Sequence, residues 1–362
     1  MINYSQDEKA LIFLSQFEFM TSKKMQEVCE CLEEPSKILS SSCTELECLK
    51  PILKTHFNTF IESKENFNEN TFFQMLNNRG IKCLTIFSKN YPSKLHKLSN
   101  PPYILFYVGN LDLINTQTVA IVGARNPSTY GKLVTEKFSK SLAQNNITII
   151  SGLASGVDKI SHEVCLEVNG KTIAVLGGGF DQIYPAMNVN LAREVAKKGL
   201  IITEYFLNIQ PTKYSFPHRN RIIAAFSDAI LITEAGKKSG SLYTMEYGTE
   251  MGIDTYCVPG SIMSELSYAT NDLIKRGAAA CVTNPEDILC IFGIKPKENK
   301  NQVMQLTIEE TLISSFLKEG EKDFEFLQEK TQYSTQTLNI NLTSMEIRGI
   351  IKKLAGNKYI LC

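Results

Sequence analysis

Six short runs of apolar residues set the pattern in the middle of the chain. The runs are apolar throughout instead of alternating, and β-branched residues are frequent in them. Such runs are typical of strands buried on both faces of a parallel sheet. They lie at 118–122, 147–151, 172–176, 200–203, 229–233 and 254–258. Helical patterns such as 131–145 and 187–198 separate them, which predicts an α/β fold with an extended Rossmann-like, doubly wound and mainly parallel sheet.

Both ends of the chain carry helical patterns instead. Near the amino end, apolar residues recur at helical spacing, as in Leu11, Leu14 and Phe17. After the last apolar run, a polar, Pro-containing stretch precedes three short helical patterns and a Gly356-Asn357 turn, the outline of a small winged-helix module. The predicted parts are a helical domain at 1–75, a Rossmann-like domain at 76–294, a linker at 295–302 and a winged-helix module at 303–362.

The composition restricts the function classes. With 38 basic and 38 acidic side chains the chain is neutral, so nucleic acid would have to bind to a local patch. The 10 cysteines contain no C-x-x-C spacing and only 4 histidines accompany them, so no metal site is expected. No apolar run is long enough for a membrane span, and the first residues do not resemble a signal peptide. These features predict a cytoplasmic protein with free thiols.

One basic island interrupts this neutral background. Between Glu204 and Asp228 there is no acidic residue, whereas Lys213, Arg219 and Arg221 all fall inside that window. Residues 216–224 are predicted to form a turn that leads into an apolar helix. A basic island beside an aromatic residue suits single-stranded nucleic acid or a phosphate ligand.

Two residues of the island have alternative interpretations. The ring of Phe216 can stack on a base or pack in the core. The amide of Asn220 can bind a base edge or a phosphate, or it can cap a helix that starts near Ile222.

Gly-rich turns follow several of the predicted strands, where ligands bind in open α/β sheets. In these turns Arg125 and Lys238 are either phosphate contacts or surface residues paired with carboxylates. The amides of Ser239, Gly240 and Ser241 can form an anion nest. Further positions for a phosphate loop are Gly123, Ser128, Gly152, Gly156 and Asn271.

Recognisable catalytic and cofactor motifs are missing from the sequence. None of the glycine turns is a G-x-G-x-x-G or Walker A motif, so no nucleotide cofactor is expected. There is no G-x-S-x-G elbow either. Asp158 is interpreted as a first-turn acid of a helix, and His162, four residues later, as a structural histidine that can contact it.

The ordered series of motifs resembles the DNA-processing protein A (DprA/Smf) family. The matching segments are 119–125 (VAIVGAR), 151–158 (SGLASGVD), 184–185 (YP), 216–224 (FPHRNRIIA), 239–244 (SGSLYT), 258–261 (VPGS) and 271–278 (NDLIKRGA). The resemblance is strong over about 80–290, extends to the last helix and wing of the carboxyl end, and is weak over 1–75, where the family has a SAM-like helical domain. Ser155 and Ala269 depart from the family pattern.

The resemblance implies a dimeric protein without enzymatic activity or cofactor. Such a protein binds single-stranded DNA and helps to load the RecA recombinase during natural transformation. The family's strand-binding pocket corresponds here to Arg125, Lys213, Phe216, Arg219, Asn220, Arg221 and Lys238.

Two other functions stay open at this point. The same sheet occurs in nucleotide-processing enzymes of the lysine-decarboxylase-like Rossmann group, but those carry P-G-G-x-G-T where this chain has Pro259-Gly260-Ser261. The chain is alternatively an interaction protein in which the winged-helix module does the binding.

Overall fold

The structure is a computed structural model that describes residues 4–294 and 306–361. It divides into two units, Met1–Lys295 and Pro296–Cys362. The predicted linker at 295–302 lies outside the described residues.

The strands of the first unit form one mixed sheet. Within the described residues it has nine strands in the order β1-β2-β6-β5-β4-β3-β7-β8-β9. The pairs β1–β2 and β2–β6 are antiparallel, and all the others are parallel. The strands are β1 Lys82–Thr85, β2 Ile104–Gly109, β3 Thr118–Val122, β4 Thr148–Ser151, β5 Thr172–Leu176, β6 Leu200–Thr203, β7 Ala229–Ile232, β8 Thr255–Cys257 and β9 Ala280–Cys281.

The prediction of a mainly parallel α/β sheet is confirmed. All six apolar runs are strands, and every residue of β3, β4, β5, β6 and β7 is buried. Separate apolar clusters cover the two faces of the central strands, which explains why the runs do not alternate.

Helices precede the sheet and connect its strands. The amino-terminal helices are α1 Gln6–Leu14, α2 Ser22–Leu32, α3 Lys37–Ser40, α4 Lys50–Leu53, α5 Phe57–Glu65 and α6 Glu69–Asn78. The helices that follow β1 are α7 Thr129–Gln144, α8 Val157–Glu167, α9 Val189–Lys198, α10 Ser215–Phe226, α11 Ser241–Glu250, α12 Tyr268–Lys275 and α13 Pro285–Leu289.

The amino-terminal helices share a core with one edge of the sheet. Phe13 and Phe60 are fully buried in the same cluster as Phe106 of β2 and Phe206, which follows β6. The ring of Phe206 also stacks on that of Phe72, with ring centroids 5.6 Å apart. Burial of these large rings joins the helical segment to the sheet within one unit. The domain boundary near residue 75 stays a prediction.

The second unit contains three helices and a small antiparallel sheet in its described part. The helices are α14 Ile308–Leu317, α15 Phe324–Thr331 and α16 Thr335–Ile347, and the strands are β10 Lys322–Asp323, β11 Ile351–Leu354 and β12 Lys358–Leu361. The strand order is β10-β12-β11. Side chains from all three helices pack on Ile351 and Tyr359.

The turn predicted at the start of residues 216–224 is wrong, because α10 already begins at Ser215. The side chain of Thr212 accepts a hydrogen bond from the Ser215 amide at 3.1 Å, and the Ser215 hydroxyl accepts one from the Thr212 amide at 2.8 Å. This reciprocal pair holds the turn that leads into the helix. Pro217 is tolerated because it lies in the first turn, where an amide proton has no partner within the helix. The spacing Thr212-x-x-Ser215 was the sequence signal for this start.

Candidate nucleic-acid interface

A cavity of about 720 Å³, here called the basic cavity, lies at the carboxyl ends of β3, β4, β5 and β7. Between β3 and β7 the winding of the sheet reverses, and such a reversal is the usual ligand position in an open α/β sheet. The predicted site residues that line the cavity are Gly123, Arg125, Lys213, Phe216, Arg219, Asn220, Lys238, Ser239, Gly240 and Ser241.

Three exposed cations surround the basic cavity. Arg125 follows β3, Lys213 precedes α10, and Lys238 lies in the loop between β7 and α11. Within residues 4–294 and 306–361, none of the three forms an ion pair with a carboxylate. Their charges are therefore available to an anionic ligand, and the surface-pair alternative for Arg125 and Lys238 has no support among the described residues.

The amino end of α11 adds uncharged donors to the same wall. Gly240 precedes the helix and provides no side-chain cap. The hydroxyls of Ser239 and Ser241 lie 2.7 Å apart. Amides at a helix amino end and neighbouring hydroxyls are suited to phosphate oxygens.

Phe216 faces the cavity and is only partly buried. The Arg125 guanidinium carbon lies 5.5 Å from the centroid of its ring. The ring of Tyr184, which is 56% exposed, lies 5.5 Å from that of Phe216. The Phe216 ring also packs where a side chain on Gly177 would lie, so it takes part in packing and presents an aromatic surface at the same time.

Tyr184 is a cavity residue that the sequence interpretation matched to the family but did not assign to the binding site. It belongs to the Tyr184-Pro185 pair in the loop after β5. An exposed aromatic residue in a loop at the ligand end of a strand was the available signal. Thr212 and Thr244 also line the cavity.

Arg219 lies at the floor of the cavity and is 4% exposed. Its Nη1 donates to the carbonyl of Gly152 at 2.7 Å and to that of Val175. Burial is the main reason that the pKa of its guanidinium falls to about 10, so the group stays charged at neutral pH. Arg219 therefore supplies positive charge to the cavity from a position fixed by the backbone.

Asp158 lies beside Arg219 in the floor. Its carboxylate accepts hydrogen bonds from the amides of Gly152 and Ala154 at 3.1 and 3.4 Å. Burial raises the pKa of this carboxyl group, while the charge of Arg219 opposes the rise. The acid thus organises the turn after β4, as expected for a residue in the first turn of α8.

The hydrogen bond of His162 joins it to Thr172 and not to Asp158. Its Nδ1 lies 2.7 Å from the Thr172 hydroxyl, and that hydroxyl donates to the carbonyl of Ile149. The hydroxyl must therefore accept from Nδ1, which makes His162 a neutral histidine protonated at that atom. Full burial lowers its pKa to about 3. The predicted structural histidine is present, but its partner is Thr172.

Arg221 does not line the basic cavity. It is 3% exposed, and its Nη2 donates to both carboxylate oxygens of Glu204 at 2.7 Å. Ser22 of α2 also donates to Glu204. The sequence interpretation placed this arginine in the pocket, but its side chain completes a buried ion pair on the other side of α10.

Asn220 is an interior residue of α10, so the capping alternative is wrong. Its Nδ2 donates to the carbonyl of Gly240 at 3.1 Å, and its Oδ1 accepts from Nε of Arg219 at 3.0 Å. The amide therefore positions the start of α11 and the floor arginine at the edge of the cavity.

Four predicted phosphate-loop residues do not line the cavity and have structural roles instead. The guanidinium of Arg219 occupies the place of a side chain on Gly152, and at Gly156, with φ +77°, a side chain would collide with the Ala124 and Arg125 carbonyls. The Ser128 amide and hydroxyl donate to Glu234 at 2.7 and 2.6 Å. The Asn271 side chain bonds the amide and carbonyl of Gly260 at 3.1 and 3.0 Å.

The described residues contain no cluster of three or more His, Cys, Asp or Glu side chains arranged to hold a metal ion. None of their helices has the length and apolar character that crossing a bilayer requires.

Comparison with known proteins identifies relatives over this part of the chain. The family model of DNA recombination-mediator protein A matches residues 82–293, which is more than half of the chain. Protein Smf from Synechocystis sp. is 37% identical over 250 residues, a match that spans 68% of this chain and 63% of that protein.

Two solved structures have the same fold. The structure of DNA processing protein A from Streptococcus pneumoniae gives a TM-score of 0.67 at 32% identity and covers 80% of this chain and 98% of that one. The structure reported for the single-stranded DNA binding mode of DNA processing protein A from Helicobacter pylori gives 0.54 at 33% identity, covering 59% and 95%. With the family match, these similarities establish that the chain belongs to the DNA recombination-mediator protein A family, the family of the DprA and Smf proteins.

Proposed function

We propose that this protein binds single-stranded DNA in the basic cavity and loads the RecA recombinase onto that strand during natural transformation. The observation that carries the proposal is the convergence of Arg125, Lys213 and Lys238 around the ring of Phe216. Cations that follow a backbone and a ring on which a base can stack are the two elements of single-strand recognition. Family membership supports the same function.

The shape of the cavity favours a single strand over a duplex. Phe216 and the charged floor lie inside a concave site, where an unpaired base can enter beside its phosphate. In a duplex the bases are stacked and paired, so the same contact would require extrusion of a nucleotide, at a cost of a few kcal/mol.

Fluorescence anisotropy with labelled oligothymidylate and with a duplex of equal length, each at two salt concentrations, tests the proposal. We expect tighter binding of the single strand and weaker binding at high salt, because cations released from the phosphates drive association. Equal affinity for both forms, or no binding of either, would refute it.

Recombinase loading requires a separate measurement. We expect the protein to accelerate the assembly of RecA on single strands already covered by a single-strand binding protein. A homodimer belongs to the same proposal, and sedimentation velocity measures it directly. Binding of DNA without any acceleration of RecA assembly would restrict the function to strand protection.

We assign the second unit to the winged-helix class on the order of its helices and its β11–β12 hairpin. Several of its basic side chains are already paired: Lys358 with Glu321 at 2.8 Å, and Arg348 with Glu310 at 2.8 Å. Paired cations are poor phosphate ligands, which favours a protein partner for this unit. Deletion of residues 297–362 should leave single-strand binding intact, whereas complete loss would place the DNA site in this unit.

A further inference from the structure

A second cavity of about 430 Å³ lies on the other side of α10. Its walls are formed by apolar side chains from α2 and the loop before it, from the start of β2 and from the segment after β6, namely Met20, Met25, Ile104, Phe206 and Ile209. Cavities of this size with apolar walls and a few polar groups are typical small-ligand sites.

The polar groups of the second cavity carry no free cation. Two carboxylates line it: Glu204 is neutralised by the buried Arg221, whereas the exposed Glu18 has no ion pair among the described residues. Nε of Arg221 donates to Nε2 of His218 at 3.3 Å, so the proton of this histidine lies on Nδ1. Nδ1 lies 3.4 Å from the Tyr205 hydroxyl and 3.6 Å from Glu204. The site therefore offers donors and acceptors without net positive charge, which suits a neutral planar ligand and not a phosphate.

A ridge formed by residues 212–215 separates the two cavities. Thr212 lines both of them, Lys213 lines the basic cavity, and Tyr214 lines the second one. Tyr214 is 73% exposed, and Nζ of Lys213 lies 5.0 Å from the centroid of its ring. The reciprocal bonds between Thr212 and Ser215 fix the ridge at the start of α10. A cation and an exposed ring thus occupy adjacent positions on the ridge between the cavities.

We propose that the second cavity binds a base of the same DNA strand whose phosphates occupy the basic cavity. The strand crosses the ridge with a phosphate at Lys213 and a base against Tyr214, and the base enters between the apolar walls. The polar edge of the base meets His218, Tyr205 and the Asn100 amide, all of which line the cavity or its floor. This inference rests on the proposed single-strand function and extends its site across the ridge.

Oligothymidylates of increasing length test the inference with the full chain. Tyr214→Ala removes the exposed ring, and Ile209→Trp fills the cavity from its wall. We expect both variants to bind the shortest oligonucleotides as the parent does, and to lose about tenfold in affinity for longer ones, within the range for loss of one stacked base. Tyr243→Ala is the matched control, because Tyr243 is also exposed and lines neither cavity.

Arg125→Ala separates this inference from the proposed function. That variant should weaken binding at every length, because it removes a cation of the basic cavity. If it does so while Tyr214→Ala and Ile209→Trp both match the parent at every length, the second cavity has another occupant and the inference is overturned. If the parent binds no oligonucleotide, the proposed function fails as well. Tyr214→Ala changes a surface side chain, so the test does not depend on the folding of Ile209→Trp.

Discussion

Arg219 and Arg221 lie two residues apart on α10 and therefore on different sides of the helix. Both are almost fully buried. Arg221 has a carboxylate partner in Glu204 and a place in the core, whereas Arg219 donates to backbone carbonyls and lies under a cavity lined by cations that have no carboxylate partner among the described residues. The difference teaches that a basic sequence island does not identify a binding site until each charge has been assigned a partner.

The largest effect on stability is expected on the side of α10 that carries the buried ion pair of Arg221 and Glu204. Arg221→Met should lower the free energy of unfolding by about 3–5 kcal/mol, because it leaves the Glu204 carboxylate buried without a partner. Urea denaturation measures the loss. The double variant Arg221→Met/Glu204→Gln serves as the control and should recover part of it. If the single variant is as stable as the parent, the ion pair has no structural role.

His162 lies near Arg219 and His218 lies near Arg221, and the two histidines should affect stability differently as the pH falls. Burial holds the pKa of His162 at about 3, so this side chain is neutral in the folded protein. The unfolded chain binds a proton below its ordinary pKa of about 6.5, and stability present above that pH is therefore lost as the pH falls towards 3.

Between pH 7 and pH 5 this histidine should cost about 2 kcal/mol of unfolding free energy. His162→Gln should flatten the pH dependence measured by urea denaturation. His218→Gln should flatten it less, since His218 is partly exposed and the nearby Glu204 opposes the lowering of its pKa by burial. An unchanged slope in His162→Gln would contradict the neutral assignment.

On the side of α10 that faces the basic cavity, removal of a cation should weaken DNA binding and leave the free energy of unfolding unchanged. Arg125→Ala should weaken single-strand binding about tenfold and reduce the salt dependence by about one unit of the logarithmic slope. Titrations at several salt concentrations measure both. The matched control is Lys237→Ala, because Lys237 lies over Tyr268 and does not line the basic cavity. Equal losses in the two variants would indicate a diffuse charge effect.

The smallest of these effects is the loss of binding affinity expected when the ring of Phe216 is removed. Phe216→Leu keeps an apolar side chain over Gly177 but removes the stacking surface, so affinity should fall by about 1 kcal/mol, the lower end of the range for one stacked base. Competition titration against the parent protein resolves such a difference. A variant that binds as the parent does would mean that Phe216 serves packing alone.

The same comparison explains what could be predicted from the sequence. The apolar runs identified the parallel strands. Because ligands bind at the carboxyl ends of such strands, Arg125, Lys238 and the segment around Phe216 could be assigned to a single site. The order of the strands along the chain determines which loops lie at the same edge of the sheet. These inferences depend on local pattern and on topology.

The pairing of Arg221 could not be predicted in this way. Its partner Glu204 is the last acid before the basic island, and only the packing of α10 against the end of β6 brings the two together. The start of α10 was missed as well. The mutual bonds of Thr212 and Ser215 are a local signal for the start, and Pro217 is compatible with it because it occupies a permitted position in a first helical turn.

The contact between Gly152 and Arg219 couples two positions that are far apart in the sequence. The guanidinium fills the space that any side chain at 152 would need, so a larger residue there would displace the charge from the floor while leaving the strand and the turn in place. A shorter residue at 219 would restore the fit but not the charge. Substitutions that keep the packing at this contact must therefore change residues 152 and 219 together, whether they arise by design or by neutral mutation. The pair of residues at these positions then determines how much positive potential the cavity retains.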